Sequence, residues 1–390
     1  GDYSGRSVSS AGDVNGDGLD DLIIGAPEAT IFENSQAGAS YVVFGKKDGT
    51  AVELSAIETS NSGFVINGST TSEMSGLSVS GAGDINGDGI DDLIIGAYRA
   101  SNGDISMAGE SFVVFGKADN IPVNLSAVET GIGGFVIKGV SAYDFSGYSV
   151  SGAGDVNGDG FDDLIIGANG DDPNASNSGA SFVVFGKTDG TAVELSTVEA
   201  GSGGFVINGV SKEDYSGKSV SSAGDVNGDG FDDLIIGTPF DDPNGLSSGA
   251  SFVVFGQSTD TNAIDLSAIE LDNNAGGFVI NGLSAYDVSG KSVSSAGDVN
   301  GDGLDDLIVG ANSDDPNGEY SGASFVVFGK TDGTAVELSD IEAGTGGFVI
   351  NGVSVNDYSG YSVSSAGDVN GDGLADLIIG APYYDPNGLS

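Results

Sequence analysis

The chain of 390 residues is strongly acidic, with 58 acidic against 11 basic side chains, a formal net charge of −47, 68 glycines and no His, Cys or Trp. Without His or Cys it has no imidazole, thiol or disulfide chemistry, which excludes most enzyme classes and most transition-metal sites and leaves oxygen atoms as metal ligands. The charge repels nucleic acid and anionic membranes and favours hard cations such as Ca²⁺. No apolar run approaches the ~20 residues of a membrane span. We therefore expect no nucleic-acid partner and no direct membrane insertion.

One motif, Asp-Val/Ile-Asn-Gly-Asp-Gly, divides the chain into repeats. It begins at Asp13, Asp84, Asp155, Asp225, Asp298 and Asp368, so the copies recur about every 71 residues. This period gives five whole units and one half unit within a single domain, 1–390. The predicted repeats are 1–69, 70–141, 142–211, 212–284, 285–354 and the half unit 355–390.

Each unit contains four short segments that are rich in β-branched or aromatic residues and bounded by turn residues. In the third unit these segments are 149–155, 163–167, 182–186 and 204–207. Such segments are typical of β-strands. The first two occur six times and the last two five times, which predicts 22 strands. Between the third and fourth segments, Leu-Ser-x-Ile/Val-Glu predicts one helical turn that begins with an S-x-x-E capping box.

Four short antiparallel strands per repeat are typical of a β-propeller blade. A parallel β-helix has a much shorter period, and tandem β-sandwiches need about seven strands per unit. The small side chains of the first segment suit the crowded central channel, so we expect that strand to be innermost. The sequence predicts an all-β fold, a β-propeller of four-stranded antiparallel blades, with about six blades of which the last is incomplete.

The ends of the chain fall at different points of the repeat. The sequence begins just before an innermost strand and ends just before a third strand. We therefore expect either a six-bladed ring with a half-built last blade or a piece of a longer array. The free edge of the last blade is expected to pair with another copy of the chain or with a missing segment of the same chain.

The loop between the first and second strands carries the candidate metal ligands. Ca²⁺ prefers six to eight oxygen ligands, and a tight glycine-containing loop can present side chains one, three, five and nine together with the backbone carbonyl of position seven. The loop departs from an EF-hand, because position twelve is Ile166 rather than Glu and because it joins two strands. Asp162, at position eight, is expected to point away from its own loop. We expect about six Ca²⁺ ions, one per loop, and we expect calcium to be required for folding.

The predicted ligands share the same five positions in every copy, with position seven acting through its carbonyl. They are Asp13, Asn15, Asp17, Leu19 and Asp21; Asp84, Asn86, Asp88, Ile90 and Asp92; Asp155, Asn157, Asp159, Phe161 and Asp163; Asp225, Asn227, Asp229, Phe231 and Asp233; Asp298, Asn300, Asp302, Leu304 and Asp306; and Asp368, Asn370, Asp372, Leu374 and Asp376.

Two further motifs, together with this loop, resemble FG-GAP repeats. Phe-Gly begins at Phe44, Phe115, Phe185, Phe255 and Phe328, and Gly-Ala-Pro-like triplets lie at 25–27, 237–239 and 380–382. FG-GAP repeats form the N-terminal β-propeller of integrin α subunits and occur in many secreted bacterial proteins. The resemblance covers the entire chain and implies calcium on one face of a propeller, a role in adhesion or ligand recognition, and an extracellular or cell-surface location. The near-identity of the copies is closest to bacterial arrays, so a bacterial source is expected.

Two functions remain open at this point. The first is an adhesion or ligand-binding module that recognises protein or carbohydrate through the face opposite the calcium loops, with the divergent stretches 28–38, 98–109 and 258–274 as candidate contacts. The second is a structural, self-assembling cell-surface, sheath or filament protein, which the uniformity of the units favours. An enzyme is not expected, because neighbouring carboxylates in six similar loops do not form the pair across a cleft that a glycosidase needs.

Overall fold

The computed structural model describes residues 2–257, 261–271 and 276–385. Within these ranges the chain forms six successive sheets, five with at least four strands and a last one with two. The all-β prediction, with about six blades and an incomplete last one, is confirmed. Two predicted features are only partly described: the candidate stretch 258–274 is covered from 261 to 271, and 386–390 of the last predicted repeat lies outside the described residues.

The serine-rich segment forms the innermost strand of each blade, as predicted. These strands lie side by side in succession, and the side chain of one contacts the backbone of the next: Val79 donates its N–H to Ser7 Oγ at 3.2 Å, and Val150 to Ser78 Oγ at 3.0 Å. Small residues permit this close approach. The innermost strands are Ser7–Gly12, Ser78–Gly83, Ser149–Gly154, Ser219–Gly224, Ser292–Gly297 and Ser362–Gly367.

The second and third strands form the apolar centre of each blade, and all of these pairings are antiparallel. The second strands are Asp21–Ala26, Asp92–Ala97, Asp163–Ala168, Asp233–Thr238, Asp306–Ala311 and Asp376–Gly380. The third strands are Ala39–Val43, Glu110–Val114, Ala180–Val184, Ala250–Val254 and Ala323–Val327.

The fourth strands complete the predicted set, and helical turns precede them. The fourth strands are Gly63–Asn67, Gly134–Lys138, Gly204–Asn208, Gly277–Asn281 and Gly347–Asn351. The helical segments are Leu54–Ala56, Ile57–Ser60, Leu125–Val128, Leu195–Glu199, Leu266–Leu271 and Leu338–Glu342. Among the described residues, no helix is long and apolar enough to cross a membrane.

The helical turns are confirmed, but the predicted capping box is wrong. In the third repeat Glu194 is the N-cap residue, no side chain caps the helix, and Ser196 is already its second residue. The buried Leu195 and Val198 anchor the turn to the blade instead. Packing of two apolar residues on one face of a short helix therefore sets its start in place of a serine cap.

A fifth, two-residue strand was not predicted. It lies just before the helical turn and pairs in parallel with the fourth strand of the preceding blade, for example Val193 with Ile137. The contact joins the outer edge of one blade to the next repeat. These strands are Val123–Asn124, Val193–Glu194, Ile264–Asp265 and Val336–Glu337.

The main hydrophobic cores lie between blades. In one of them Ile94 and Phe135 of the second blade pack with Leu164, Ile166 and Phe182 of the third. In the second to fifth blades, the residue after the leucine of the second strand, such as Ile94, packs against the following blade. The residues on either side of it pack against the preceding blade. A blade therefore needs a neighbour on each side to bury both of its faces.

The first and last blades each expose a face that the other blades bury. Val8 in the first blade is 66% exposed, whereas the equivalent Val79 is 4% exposed. Ile378 in the last blade is 61% exposed, whereas the equivalent Ile308 is 0% exposed. Within the described part of residues 2–385, the outer faces of the first and last blades are therefore not packed against each other.

This difference in burial predicts unequal costs for the same substitution. Ile308→Ala should lower the free energy of unfolding by about 2–5 kcal/mol, because it leaves a cavity between two blades. Ile378→Ala should change it by no more than about 0.5 kcal/mol, because that side chain is already exposed. Urea denaturation of the two variants measures both values. Equal losses would show that Ile378 is buried in solution.

Candidate metal sites

The candidate loops lie between the first and second strands and therefore at the same end of every blade. Each begins at a register shift, such as that between Gly152 and Gly154, where Gly154 has a φ of +71° that favours glycine. The shift ends the innermost strand and turns the chain into the loop.

The position-one aspartate organises the loop backbone. Asp155 Oδ1 accepts hydrogen bonds from the N–H groups of Gly158 at 2.7 Å and Asp159 at 3.0 Å, and its Oδ2 accepts one from Gly160 at 2.9 Å. Asp159 Oδ1 in turn accepts the N–H of Phe161 at 3.0 Å. The three bonds to position one recur at Asp84, Asp225, Asp298 and Asp368, and Asp13 accepts the two from Asp17 and Gly18.

The position-nine aspartate is fully buried in the five complete blades and connects three parts of the blade. Asp163 Oδ2 accepts the N–H of Val156 at 3.1 Å, and its Oδ1 accepts the N–H of Gly186 at 2.9 Å. Asn157 Nδ2 donates to both carboxylate oxygens at 3.3 and 3.2 Å. The glycine of the Phe-Gly motif therefore fixes the loop, a role that the sequence analysis missed. The corresponding glycines are Gly45, Gly116, Gly256 and Gly329.

Burial makes these carboxylates difficult to ionise. Loss of hydration raises the pKa of Asp163 to about 8, and the negative charges of Asp159 and Asp155 contribute to the rise, while its hydrogen bonds oppose it. The same cause raises the pKa values of the equivalent residues, to about 7 for Asp92 and Asp233 and about 6 for Asp21 and Asp306. No ion pair within residues 2–257, 261–271 and 276–385 involves any of these five side chains. Their buried negative charge lacks a neutralising Lys or Arg there.

The chemistry of each loop fits a hard cation. Three carboxylates, an amide oxygen and a backbone carbonyl are the donor types that Ca²⁺ prefers. In the described part of the chain, however, no three acidic groups form a preformed metal cage. Asn157 donates its Nδ2 to Asp163, so only its amide oxygen would be offered to an ion. The thirty predicted ligands lie in these loops and include donor types that suit Ca²⁺, and coordination by them stays a prediction.

Two positions behave differently from the rest. Asp162, at position eight, points away from its own loop and accepts a hydrogen bond from the preceding blade, a partner that was not predicted. Asp376, at position nine of the last copy, bonds the N–H groups of Val369 at 2.8 Å and Asn370 at 3.2 Å but is only partly buried. The incomplete blade therefore keeps the loop contacts without the enclosing third strand.

The raised pKa values predict an unusual pH dependence for the calcium-free protein. The folded-state pKa of Asp163 is about 8 against an ordinary 3.8, so the protonated carboxyl favours the folded state, and this stabilisation is lost as the pH rises from about 4 through 8. In EGTA, the melting temperature should therefore be higher at pH 5.5 than at pH 8. Asp163→Asn should reduce the difference, because the amide does not ionise. A melting temperature that rises with pH would contradict this assignment of the buried charges.

Several proteins of known identity are similar to this chain. It is 30% identical over 244 residues to integrin alpha pat-2 of Caenorhabditis elegans, covering 61% of this chain and 18% of that protein. It is 31% identical over 249 residues to integrin alpha-V of Gallus gallus, covering 62% and 20%. It is 27% identical over 171 residues to phosphatidylinositol-glycan-specific phospholipase D of Dictyostelium discoideum, covering 43% and 18%. The alignments span about a fifth of the length of these relatives.

The repeats themselves match one family. FG-GAP repeats match residues 4–43, 75–114, 146–184, 216–254, 289–327 and 359–389, which together make up more than half of the chain. Each matched segment contains an innermost strand, the candidate metal loop and the second strand. This chain belongs to the FG-GAP repeat family.

Proposed function

We propose that this chain is a calcium-stabilised, extracellular β-propeller that acts as an adhesion or ligand-binding module. The observation that carries the binding role is the similarity to integrin alpha subunits over about three fifths of the chain. The oxygen-only loops support the calcium role. Millimolar calcium outside cells fills weak sites that cytosolic calcium does not, which supports an extracellular location.

Calcium would act on the loops by neutralising charge. In each complete blade a buried carboxylate lies beside two further loop aspartates, and a bound Ca²⁺ would supply opposite charge to all three groups. Binding restricted to the folded state stabilises it by mass action, by about 2.7 kcal/mol per site at a hundredfold excess over the dissociation constant. Five such loops, together with the less enclosed loop of the last blade, would make calcium a large contribution to stability.

The calcium role predicts a strong dependence of thermal stability on the ion. The melting temperature at pH 7.5 should be higher in millimolar Ca²⁺ than in excess EGTA, and equal Mg²⁺ should have a smaller effect because the loop does not provide rigid octahedral geometry. Asp163→Asn should reduce the calcium-dependent rise, whereas the exposed Asp340→Asn should leave it unchanged. An identical melting temperature in EGTA and in Ca²⁺ would exclude calcium stabilisation.

We place the ligand-binding surface at the end of the blades opposite the loops. The divergent stretch 98–109 follows the second strand there, and the ring of Tyr98 lies edge-on to that of Tyr148, with centroids 5.4 Å apart. The guanidinium of Arg99 lies 5.1 Å from the centre of the Tyr98 ring, and Lys218 Nζ lies 4.2 Å from the centre of Tyr148. Residues of three successive blades thus form one basic and aromatic cluster.

This cluster lies at the ends of the innermost strands, which are expected to surround the central channel. Tyr148 and Lys218 each immediately precede an innermost strand, and Arg6 and Lys291 occupy the equivalent positions in the first and fifth blades. Arg6, Arg99, Lys218 and Lys291 are four of the 11 basic residues in the chain. A concentration of positive charge on a molecule of net charge −47 favours an acidic protein or acidic carbohydrate as the ligand.

This proposal predicts selective binding of acidic ligands. On an array of sulfated, uronate-containing and neutral glycans with an acidic peptide added, the calcium-loaded protein should bind acidic members. Arg99→Ala combined with Lys218→Ala should weaken binding at least about tenfold, because two charge-assisted contacts are lost. Lys46→Ala combined with Lys47→Ala removes the same charge at the loop end of the first blade, where both side chains are exposed, and should have little effect. Equal losses in the two double variants would exclude this surface.

The remaining expectations stay predictions. The similarity to integrin alpha subunits favours ligand binding over self-assembly as the function, and pairing of copies through the last blade is untested. One relative is named as a phospholipase D, but the alignment covers only 18% of it. For this chain we propose no enzymatic activity and no nucleic-acid partner, and a bacterial source remains an expectation.

A further inference from the structure

The position-eight aspartates connect each loop to the loop of the preceding blade. Asp162 Oδ2 accepts the backbone N–H of Asp84, the position-one residue of the second loop, at 2.7 Å. The same bond recurs between Asp91 and Asp13 at 2.7 Å, Asp232 and Asp155 at 2.9 Å, and Asp305 and Asp225 at 3.0 Å. Four successive pairs of loops are joined in this way.

The backbone strengthens the same connection. The N–H of Asp232 donates to the carbonyl of Asp155 at 3.4 Å, and the N–H of Asp305 donates to the carbonyl of Asp225 at 3.2 Å. In these two pairs, the side chain of position eight accepts the N–H of position one in the preceding blade, and its backbone N–H donates to the carbonyl of the same residue. Such a reciprocal pair restricts the orientation of the position-one residue.

The innermost strand leaves room for the incoming carboxylate. A Cβ atom on Gly83 would lie 2.1 Å from Asp162 Oδ2, and one on Gly154 would lie 2.2 Å from Asp232 Oδ2. Gly12 and Gly224 face Asp91 and Asp305 in the same way. The last such glycine, Gly367, has nothing within 4 Å of its Cβ position, because no blade follows it in the structure.

The residue before each position-eight aspartate also packs on the preceding loop. A Cβ atom on Gly87 would lie 2.5 Å from the ring of Phe161. Lys187, which follows the Phe-Gly motif of the same blade, donates its N–H to the carbonyl of Ile85 at 2.9 Å. In the third blade, positions seven and eight of the loop and the residue after the Phe-Gly motif therefore all contact the loop of the second blade.

The chain contains two natural exceptions. Ala375 occupies position eight of the last loop, and it keeps the backbone bond to the carbonyl of Asp298 at 3.1 Å without a carboxylate. Asp20 occupies position eight of the first loop, where no blade precedes it, and its side chain is exposed. These residues provide a position at which the contact can be added and one at which its removal should have no effect.

We infer that Asp91, Asp162, Asp232 and Asp305 are positioning residues that fix the loop of the preceding blade and couple calcium binding in successive loops. The inference rests on the proposed calcium function. Asp162 lies between Phe161 and Asp163, two predicted ligands of its own loop, so an ion held there restricts Asp162. Asp162 in turn holds Asp84, a predicted ligand of the preceding loop. Binding in one loop therefore favours binding in the loop before it.

Alanine at all four positions tests the inference. Asp91→Ala, Asp162→Ala, Asp232→Ala and Asp305→Ala combined should raise the calcium concentration at half-saturation about tenfold, as expected for loss of groups that orient metal ligands, and should lower the Hill coefficient. Hydrogen exchange in EGTA should show faster exchange at the N–H groups of Asp13, Asp84, Asp155 and Asp225. Asp20→Ala is the matched control and should change neither measurement.

Two further variants guard against general unfolding. Asp162→Ala alone should accelerate exchange at Asp84 and leave the other three position-one groups protected. Ala375→Asp should slow exchange at Asp298, a gain that a damaged fold does not produce. If the fourfold variant behaves like Asp20→Ala, or if Ala375→Asp leaves Asp298 unchanged, the inference is wrong. Failure of the wild-type protein to bind Ca²⁺ would instead exclude the calcium function and the coupling, while exchange in EGTA would still test the positioning.

A pair of glycine substitutions tests the space that the carboxylate needs. Gly83 and Gly367 have φ values of +70° and +66°, so alanine introduces similar backbone strain at both positions. Gly83→Ala should additionally displace Asp162 and accelerate exchange at Asp84, and it should lower the melting temperature more than Gly367→Ala does. Equal effects of the two substitutions on the melting temperature, with Asp84 still protected, would contradict the proposed contact.

Discussion

In each complete blade, a fully buried aspartate at the start of the second strand accepts hydrogen bonds from the glycine of the Phe-Gly motif and from the loop asparagine. In the third blade these are Asp163, Gly186 and Asn157. The bonds hold the end of the third strand against the loop between the first two, so one carboxylate sets the geometry of three strands. Burial opposes ionisation of this carboxyl group, and no Lys or Arg pairs with it within the described ranges, which is the physical reason to expect a bound hard cation.

Contacts between neighbouring blades repeat in the same way as the contacts within each blade. A four-stranded blade has two apolar faces, and the inner blades bury both by packing against neighbours in sequence order. The outer edge is joined by two-residue parallel strands such as Val193–Glu194, and the loop end by aspartates such as Asp162. Loops, cores and edges therefore all repeat with the blades. Asp162 makes a direct contact between one loop and the adjacent loop.

Much of the fold could be predicted from the sequence because the repeat presents each strand pattern five or six times, and the loop was found because its ligand types recur at fixed spacing. The two-residue strands were missed, since Val193 and Glu194 are too few to show a pattern. The capping box was wrong because burial of Leu195 and Val198 sets the start of the helix. The partner of Asp162 was missed because it lies 78 residues earlier in the chain, and local spacing contains no information about packing between blades.

The link between the buried aspartates and a hard cation is tested most directly by counting the bound calcium ions. Equilibrium dialysis in millimolar Ca²⁺, followed by metal analysis, should find about six Ca²⁺ ions per chain. The ion at the last loop should be lost first on dilution, because Asp376 lacks the enclosing Phe-Gly strand. A chain that retains its fold with no bound calcium under these conditions would contradict the calcium assignment and would require another explanation for the buried carboxylates.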